Sequence, residues 1–257
     1  MKLRALIAVT LGLAAAAVAV ASEDVKHPES QAWSWDGVFG TFDRQQLQRG
    51  YQVYKEVCSA CHSMNLLSFR NLSQPGGPGF TEAQMKAIAA SFQVPTIDDK
   101  GEVAQRPGIP ADRFPAPYPN EAAARAANNN ALPPDLSVII KARNDGANYV
   151  HALLLGYTDP PAKFELLPGL NYNPYFGGHQ IAMPQPITSD GQVTWPEGNP
   201  PATKDQMVRD IVAFLAWAAE PKLEERKRLG VQVMIFLGAL SLLLYFAYKR
   251  LWRDVDH

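Results

Sequence analysis

The sequence predicts a mainly α chain: a loop-rich globular domain followed by one C-terminal membrane-crossing helix. Three observations predict it. Apolar residues recur at helical spacing at Leu47, Tyr51, Tyr54 and Val57, and again at Met207, Ile211, Phe214, Leu215 and Ala218. Residues 229–248 form a run of 20 in which only Gln232 and Ser241 are strongly polar. The 21 prolines and 18 glycines, about 15% of 257 residues, punctuate what lies between without making it low-complexity. With 47% hydrophobic residues the chain can bury a substantial core. The 24 Lys and Arg against 25 Asp and Glu give a net charge of −1, which supplies no basic field and excludes nucleic acid as a partner. Two cysteines cannot build a disulfide-rich scaffold or a four-thiolate metal site.

In chain order, residues 1–4 carry two positive charges and residues 5–20 are small and apolar. Ala19-Val20-Ala21 then fits a signal-peptidase site. Residues 1–21 therefore read as a signal peptide, with a permanent N-terminal membrane helix as the rival reading. Export places residues 22–221 in a bacterial periplasm, a compartment that oxidises thiols. That segment holds 15 basic and 21 acidic residues, an excess that solvates the surface or forms a docking face for a basic partner.

Thr41 or Asp43 can cap a helix running to Cys58, and Thr81 opens another. Residues 95–119 hold six prolines and read as a long surface excursion. Residues 137–156 are helix-like, and residues 184–203 read as loop or short strand. Thr203 caps a helix stopped by Pro221. Residues 222–228 read as a juxtamembrane linker. Residues 229–248 span roughly 30 Å at about 1.5 Å per residue, the thickness of a bilayer core. Tyr245, Tyr248 and Trp252 suit the interface beyond it, next to Lys249, Arg250 and Arg253. Lys222, Arg226, Lys227 and Arg228 flank the near side, so basic residues alone do not orient the span. The signal peptide does, leaving residues 249–257 cytoplasmic and the anchor single-pass in the inner membrane.

Both cysteines fall in Cys58-Ser59-Ala60-Cys61-His62, a C-x-x-C-H, the attachment signature of c-type haem. On one helical turn, positions i, i+3 and i+4 share a face, so two thiols can bond the haem vinyls while the imidazole reaches the iron. A thioredoxin-like pair would sit in a βαβ pattern, which is absent, and leaves His62 surplus. Zinc would need further ligands, and a disulfide across so short a loop would be strained. One motif means one haem. Iron needs a ligand opposite His62 unless the site is open. Met64 is too near to cross the ring, Met234 lies in the apolar span, Met207 reads as core, and Met85 sits on the helix opened by Thr81. Met183, in Met183-Pro184-Gln185-Pro186, occupies a segment that proline holds extended. It is favoured over His27, His151 and His179, which stay open as alternatives. His/Met ligation predicts a raised reduction potential and electron transfer rather than oxygen chemistry. No other catalytic constellation stands out.

Trp33-Ser34-Trp35-Asp36-Gly37-Val38-Phe39-Gly40, the motif extended to Met64, Tyr118-Pro119-Asn120, Arg125-Ala126-Ala127-Asn128-Asn129, Ala131-Leu132-Pro133-Pro134-Asp135-Leu136-Ser137 and Pro174-Tyr175-Phe176-Gly177 together resemble the cytochrome c1 family. The setting of Met183 and the C-terminal anchor match as well. The resemblance covers essentially the whole mature chain. It lacks the additional disulfide of some bacterial members. It implies a class I cytochrome c-like haem domain with long loop insertions, and the role of haem subunit in a dimeric cytochrome bc1 complex. Cys58 and Cys61 would form the thioethers, with His62 and Met183 axial to one haem c. Arg143 would pair with a haem propionate, as a guanidinium can do bidentately. Asn128, Ala131, Pro133, Pro134, Ile139, Tyr149, Leu153, Phe176, Ile181, Pro186 and Ile211 would line the pocket. Electrons would come from a Rieske iron–sulfur protein, after quinol oxidation at cytochrome b, and leave to a basic cytochrome c-type acceptor. Asp98, Asp99 and Glu102 are candidate steering charges. Enzyme activity would belong to the quinol–cytochrome c reductase as a whole. A free-standing membrane-anchored carrier is the alternative, with a haem subunit of a terminal oxidase as its variant. A peroxidase-like enzyme with an open iron position is a third possibility.

Overall fold

A computed structural model describes residues 25–254. The signal-peptide reading therefore lies outside the described residues. Helix α1 (Arg44–Glu56) starts where Asp43 accepts a hydrogen bond from the Gln46 amide, so Asp43, not Thr41, is the cap. It ends at Val57 and runs directly into a 3₁₀ turn, Cys58–Ala60. Helix α2 (Glu82–Ala90) opens with a capping box between Thr81 and Gln84. Strands β1 (Gln93–Ile97) and β2 (Val103–Pro107) form an antiparallel hairpin. Helices α3 (Glu121–Ala127) and α4 (Gly146–Leu155) follow. A minimal antiparallel pair, β3 (Asn171–Tyr172) and β4 (Gln180–Ile181), precedes helix α5 (Lys204–Ala219), capped by Thr203.

The core is built where α1 crosses α5. Leu47, Val53 and Tyr54 of α1 meet Met207, Ile211, Phe214 and Trp217 of α5, each at most 1% exposed. The crossing is close because α1 carries Gly50. A Cβ there would lie 2.0 Å from the Asp210 carbonyl oxygen. Beside it, Arg49 grips the fully buried Asp210 with two hydrogen bonds of 2.7 and 3.1 Å, and Gln206 adds a third at 2.8 Å. Aromatic rings extend the core outward, Phe114 packing on Phe69 at 4.8 Å and edge-on to Tyr54 at 5.9 Å.

Three stretches differ from the sequence expectation. The proline-rich excursion contains the β1–β2 hairpin. Two strands are both edges, so Pro95 and Pro107 can sit in the ladder without an unmet partner demand. The helix expected over 137–156 is split: turns and bends occupy 137–145, and α4 starts only at Gly146, where Asp145 and Gly146 adopt φ of 59° and 43°. Residues 223–228, expected within a linker, are the first turns of helix α6 (Leu223–Leu251), which is continuous over 29 residues. That helix is long and apolar enough to cross a membrane, and none of its most apolar stretch is buried by the described residues. It is fixed to the domain at its start, where Glu224 bonds Arg44 at 2.5 Å and accepts from the Phe42 amide at 2.9 Å.

Candidate haem site

The C-x-x-C-H residues sit on the end of α1, the best-buried helix but for α5, so their positions inherit the rigidity of the core. The Cys61 and His62 amides both donate to the Cys58 carbonyl, at 3.2 and 2.9 Å, which wraps the five residues into one turn. Both thiols are free and half-buried. Burial and the neighbouring Cys61 push the Cys58 thiol up to about 12, so it is not the activated thiolate that redox or metal chemistry uses. His62 Nδ1 donates to the Pro134 carbonyl at 2.8 Å. The proton on Nδ1 leaves Nε2 with its lone pair free, the tautomer a metal-binding imidazole needs. Burial also lowers the affinity of this ring for a second proton.

The segment supplying that carbonyl is locked to the motif. Asp135 accepts from the Ser63 hydroxyl at 2.9 Å, the Asn65 amide at 2.7 Å and the Ser137 amide at 2.8 Å. Burial alone would raise the Asp135 carboxyl; the hydrogen bonds from Ser137, Asn65 and Ser63 outweigh it and hold it below the usual range. Leu136 returns an amide to the Ser63 carbonyl at 2.9 Å.

The methionines sort themselves by burial. Met64, Met85 and Met207 are 0, 3 and 0% exposed and belong to the core. Met234 stands on α6. Met183 is half-buried in its extended, proline-flanked segment. Its carbonyl accepts from the Tyr157 hydroxyl at 3.0 Å and from Asn171 Nδ2 at 3.3 Å, so the backbone carrying the thioether is pinned from two sides. Of the histidines weighed against it, His151 is engaged by Asp205 at 3.0 Å, His27 is exposed, and His179 sits among Phe164 and Tyr172 in the αL region.

The remaining expected pocket residues lie on several elements of the domain. Asn128 closes α3 through a bond to the Ala124 carbonyl and accepts from the Ala131 amide. Tyr149 and Leu153 lie four apart on one face of α4, both half-buried. Pro133, Phe176 and Pro186 are half-buried too, Ile181 and Ile139 are each 8% exposed, and Pro134 is exposed. Ile211, at 1%, is part of the closed α1–α5 core. Arg143 is exposed, its guanidinium donating to the Ala142 carbonyl at 3.0 Å and lying against the Tyr149 hydroxyl, with no carboxylate of the chain as partner among the described residues. An exposed guanidinium of this kind suits an anionic group from outside the chain. Sequence reasoning missed Tyr157 and Asn171, which act through a backbone carbonyl and leave no residue-spacing signal. It quoted Asp135 but gave it no role.

Two free thiols on one turn, an imidazole with an available Nε2 and a pinned thioether fit a covalently held haem. A mainly α domain with that turn, followed by a helix of membrane-crossing length, has the make-up of a c-type haem-attachment protein. The comparisons narrow it: the Cytochrome C1 family model matches residues 33–255, and the chain belongs to that family. It is 45% identical to a cytochrome c1 of Rhodospirillum rubrum, over 99% of this chain and 98% of that one. To a mitochondrial cytochrome c1 haem protein of Solanum tuberosum it is 49% identical, over 94% and 91%. It is also 46% identical to a protein named cytochrome b/c1 in Bradyrhizobium diazoefficiens, of whose length it spans 37%.

Proposed function

We propose that this chain is the mono-haem electron-transfer subunit of a cytochrome bc1 complex, with its domain on the periplasmic side of a bacterial inner membrane and α6 as its anchor. The observation that carries the reading is the His62 tautomer, set by the Pro134 carbonyl, directly beside two free thiols. Cys58 and Cys61 would hold the macrocycle, His62 Nε2 and the Met183 sulfur would ligate its iron, and Arg143 would meet a propionate. Haem held this way supplies a one-electron iron couple whose potential a thioether ligand and a dry pocket raise. The protein's part is to fix both ligands from rigid elements, so that little rearranges when an electron arrives or leaves.

Partners follow the same reading. The existence of a relative named cytochrome b/c1 supports a cytochrome b alongside this chain. A Rieske iron–sulfur protein is the electron donor and a basic cytochrome c the acceptor, within a dimeric assembly. A C-terminally tagged chain purified gently from membranes tests this by a reduced-minus-oxidised spectrum. Both c- and b-type bands, in a preparation that oxidises quinol, are expected. A c-type band alone under the mildest detergent would instead identify a lone anchored carrier.

A further inference from the structure

Beside the start of α6 lies a loop that the haem site does not use. Residues 36–40 turn tightly: Gly37 has φ +68°, the Thr41 amide donates to the Ser34 carbonyl at 3.0 Å, and the Asp36 amide to the Trp33 carbonyl at 3.0 Å. The turn is latched to the helix by Lys227, whose Nζ donates to the carbonyls of Trp35 and Gly40 at 2.5 and 3.1 Å. Trp35, just before the turn, is 8% exposed and stacked on Trp33 at 4.9 Å. The loop is therefore held, and its tip cannot fold back to hide apolar surface. Yet that tip is Val38-Phe39, 62 and 84% exposed. Two adjacent large apolar side chains displayed on a rigid turn call for something to cover them.

The position of the tip says what. A cleft of about 700 Å³ separates loop from helix, with Gly37 and Val38 on one wall and, on the other, the basic Arg226 and Lys227 followed along the helix by Gly230, Val231, Met234 and Ile235. Those last four lie inside the apolar run that begins at Leu229, beyond the last of the basic residues Arg226, Lys227 and Arg228. Side by side with them, Val38 stands at the depth where the helix has left water. We infer that the 36–40 loop is a second membrane contact, Val38 and Phe39 entering the interfacial zone of the phospholipid leaflet next to the domain, with lipid chains filling the cleft. This rests on reading α6 as a membrane span. With the helix alone, the domain could rotate and tilt about one axis; a second apolar contact beside it fixes the tilt, and with it the height of the haem turn above the bilayer. Aromatic and apolar side chains are favoured at this depth, and basic ones at the boundary just above.

Spin labels on the full-length holoprotein in phosphatidylcholine nanodiscs test it. Phe39→Cys, with Val38→Cys as a second site, is labelled and its accessibility to dissolved oxygen compared with that to a water-soluble nickel chelate. Val103→Cys on the exposed hairpin reports water, Leu243→Cys on α6 reports lipid, and the unsubstituted chain checks that Cys58 and Cys61 take no label. The oxygen-to-nickel ratio at Phe39 is expected several-fold above that at Val103 and close to that at Leu243. A ratio like that of Val103 overturns the proposal. So does protection from both reagents in the assembled complex together with water access in the isolated chain, which would mean that a partner subunit covers the tip. A water-like result at Leu243 would show that the span itself fails, a separate outcome.

Discussion

His62 Nδ1 donates to the carbonyl of Pro134, 72 residues further along the chain, at 2.8 Å. The acceptor is a backbone atom, and proline can only supply a carbonyl, so the bond depends on the path of residues 133–137. Asp135 sets that path, because its carboxylate receives hydrogen bonds from both sides of the crossing, Ser63 and Asn65 from the motif and Ser137 from its own strand of chain. The imidazole is thus oriented by a carboxylate that does not touch it.

Removing that carboxylate should loosen the turn without changing any ligand. Asp135→Ala leaves the donors of Ser63, Asn65 and Ser137 without their acceptor, a loss of about 1–3 kcal/mol for hydrogen bonds to a charged group. Denaturant unfolding of the holoprotein should show the drop, and the variant should release its proximal histidine at a lower denaturant concentration than the unsubstituted chain. Equal midpoints would mean that the Pro134 carbonyl is held by other contacts.

Met183→Leu should lower the haem potential sharply, since the sulfur is replaced by an apolar group that cannot bind iron. An unchanged potential would point to another ligand, with His179 the nearest histidine in sequence. Tyr157→Phe is the finer probe. It deletes one of the two donors to the Met183 carbonyl, worth about 1 kcal/mol, and keeps the ring packing. The sulfur-to-iron charge-transfer band should weaken or vanish at a lower temperature in this variant while the thioether bonds persist.

Gly50→Ala tests the crossing of α1 and α5. The added Cβ would meet the Asp210 carbonyl oxygen at 2.0 Å and the Phe214 Cβ at 2.7 Å, so the helices must part. Overpacking of this kind costs about 1–3 kcal/mol or more, and here it also disturbs the Arg49–Asp210 pair beside it. A melting temperature within a degree of the unsubstituted chain would show that the helices slide apart freely.

The elements with a local signal were legible in advance. The C-x-x-C-H turn, the caps at Thr81 and Thr203, a cap at either Thr41 or Asp43, and the long apolar helix all follow from spacing or from a single side chain. What stayed hidden depends on contacts far apart in sequence. Nothing local to Pro134 announces a bond to His62, and Tyr157 is an ordinary tyrosine until its hydroxyl is seen on the Met183 carbonyl. The β1–β2 hairpin escaped because Pro95 and Pro107 read as breakers, although a two-stranded ladder leaves half of its backbone groups outward and tolerates them. The break before α4 escaped for the opposite reason: Asp145 and Gly146 interrupt an otherwise helical pattern only by adopting positive φ.

The hairpin tip separates steering from structure. All three acids of the tip are exposed, but Asp98 accepts the Lys100 and Glu102 amides at 2.8 Å each and so builds the turn, which leaves Asp99 and Glu102 as the charges to test. Asp99→Asn with Glu102→Gln should slow reduction of a basic cytochrome c at low ionic strength and flatten its salt dependence, because charges on the surface act over about 8–10 Å at moderate salt. Unaltered rates at low salt would remove these residues from the docking face.

His151 makes the fold sensitive to mild acid. It is 7% exposed, its Nε2 lies 3.0 Å from Asp205, and the edge of Trp33 packs against its ring at 5.9 Å. Burial lowers its proton affinity; Asp205 pulls the other way without cancelling it, and Arg209, bonded to the same carboxylate, adds to the lowering. The unfolded chain therefore binds a proton more readily than the folded one, and stability falls as the pH drops below about 6.5, the ordinary histidine value, until it passes the folded value. Asp205 is shifted downward as well, but its ordinary range lies well below that window, so the two are separable. His151→Gln keeps a donor toward Asp205 and removes the titration. Its unfolding midpoint should change less between pH 7.5 and 5.5, two values chosen to bracket the window, than that of the unsubstituted chain. Because Trp33 also donates to Asn148 at 2.8 Å, the acid-induced loss in the unsubstituted chain should begin with the N-terminal segment, read as a change in tryptophan emission before the helical signal moves. Parallel pH profiles for the two proteins would show that His151 stays neutral on both sides of the transition.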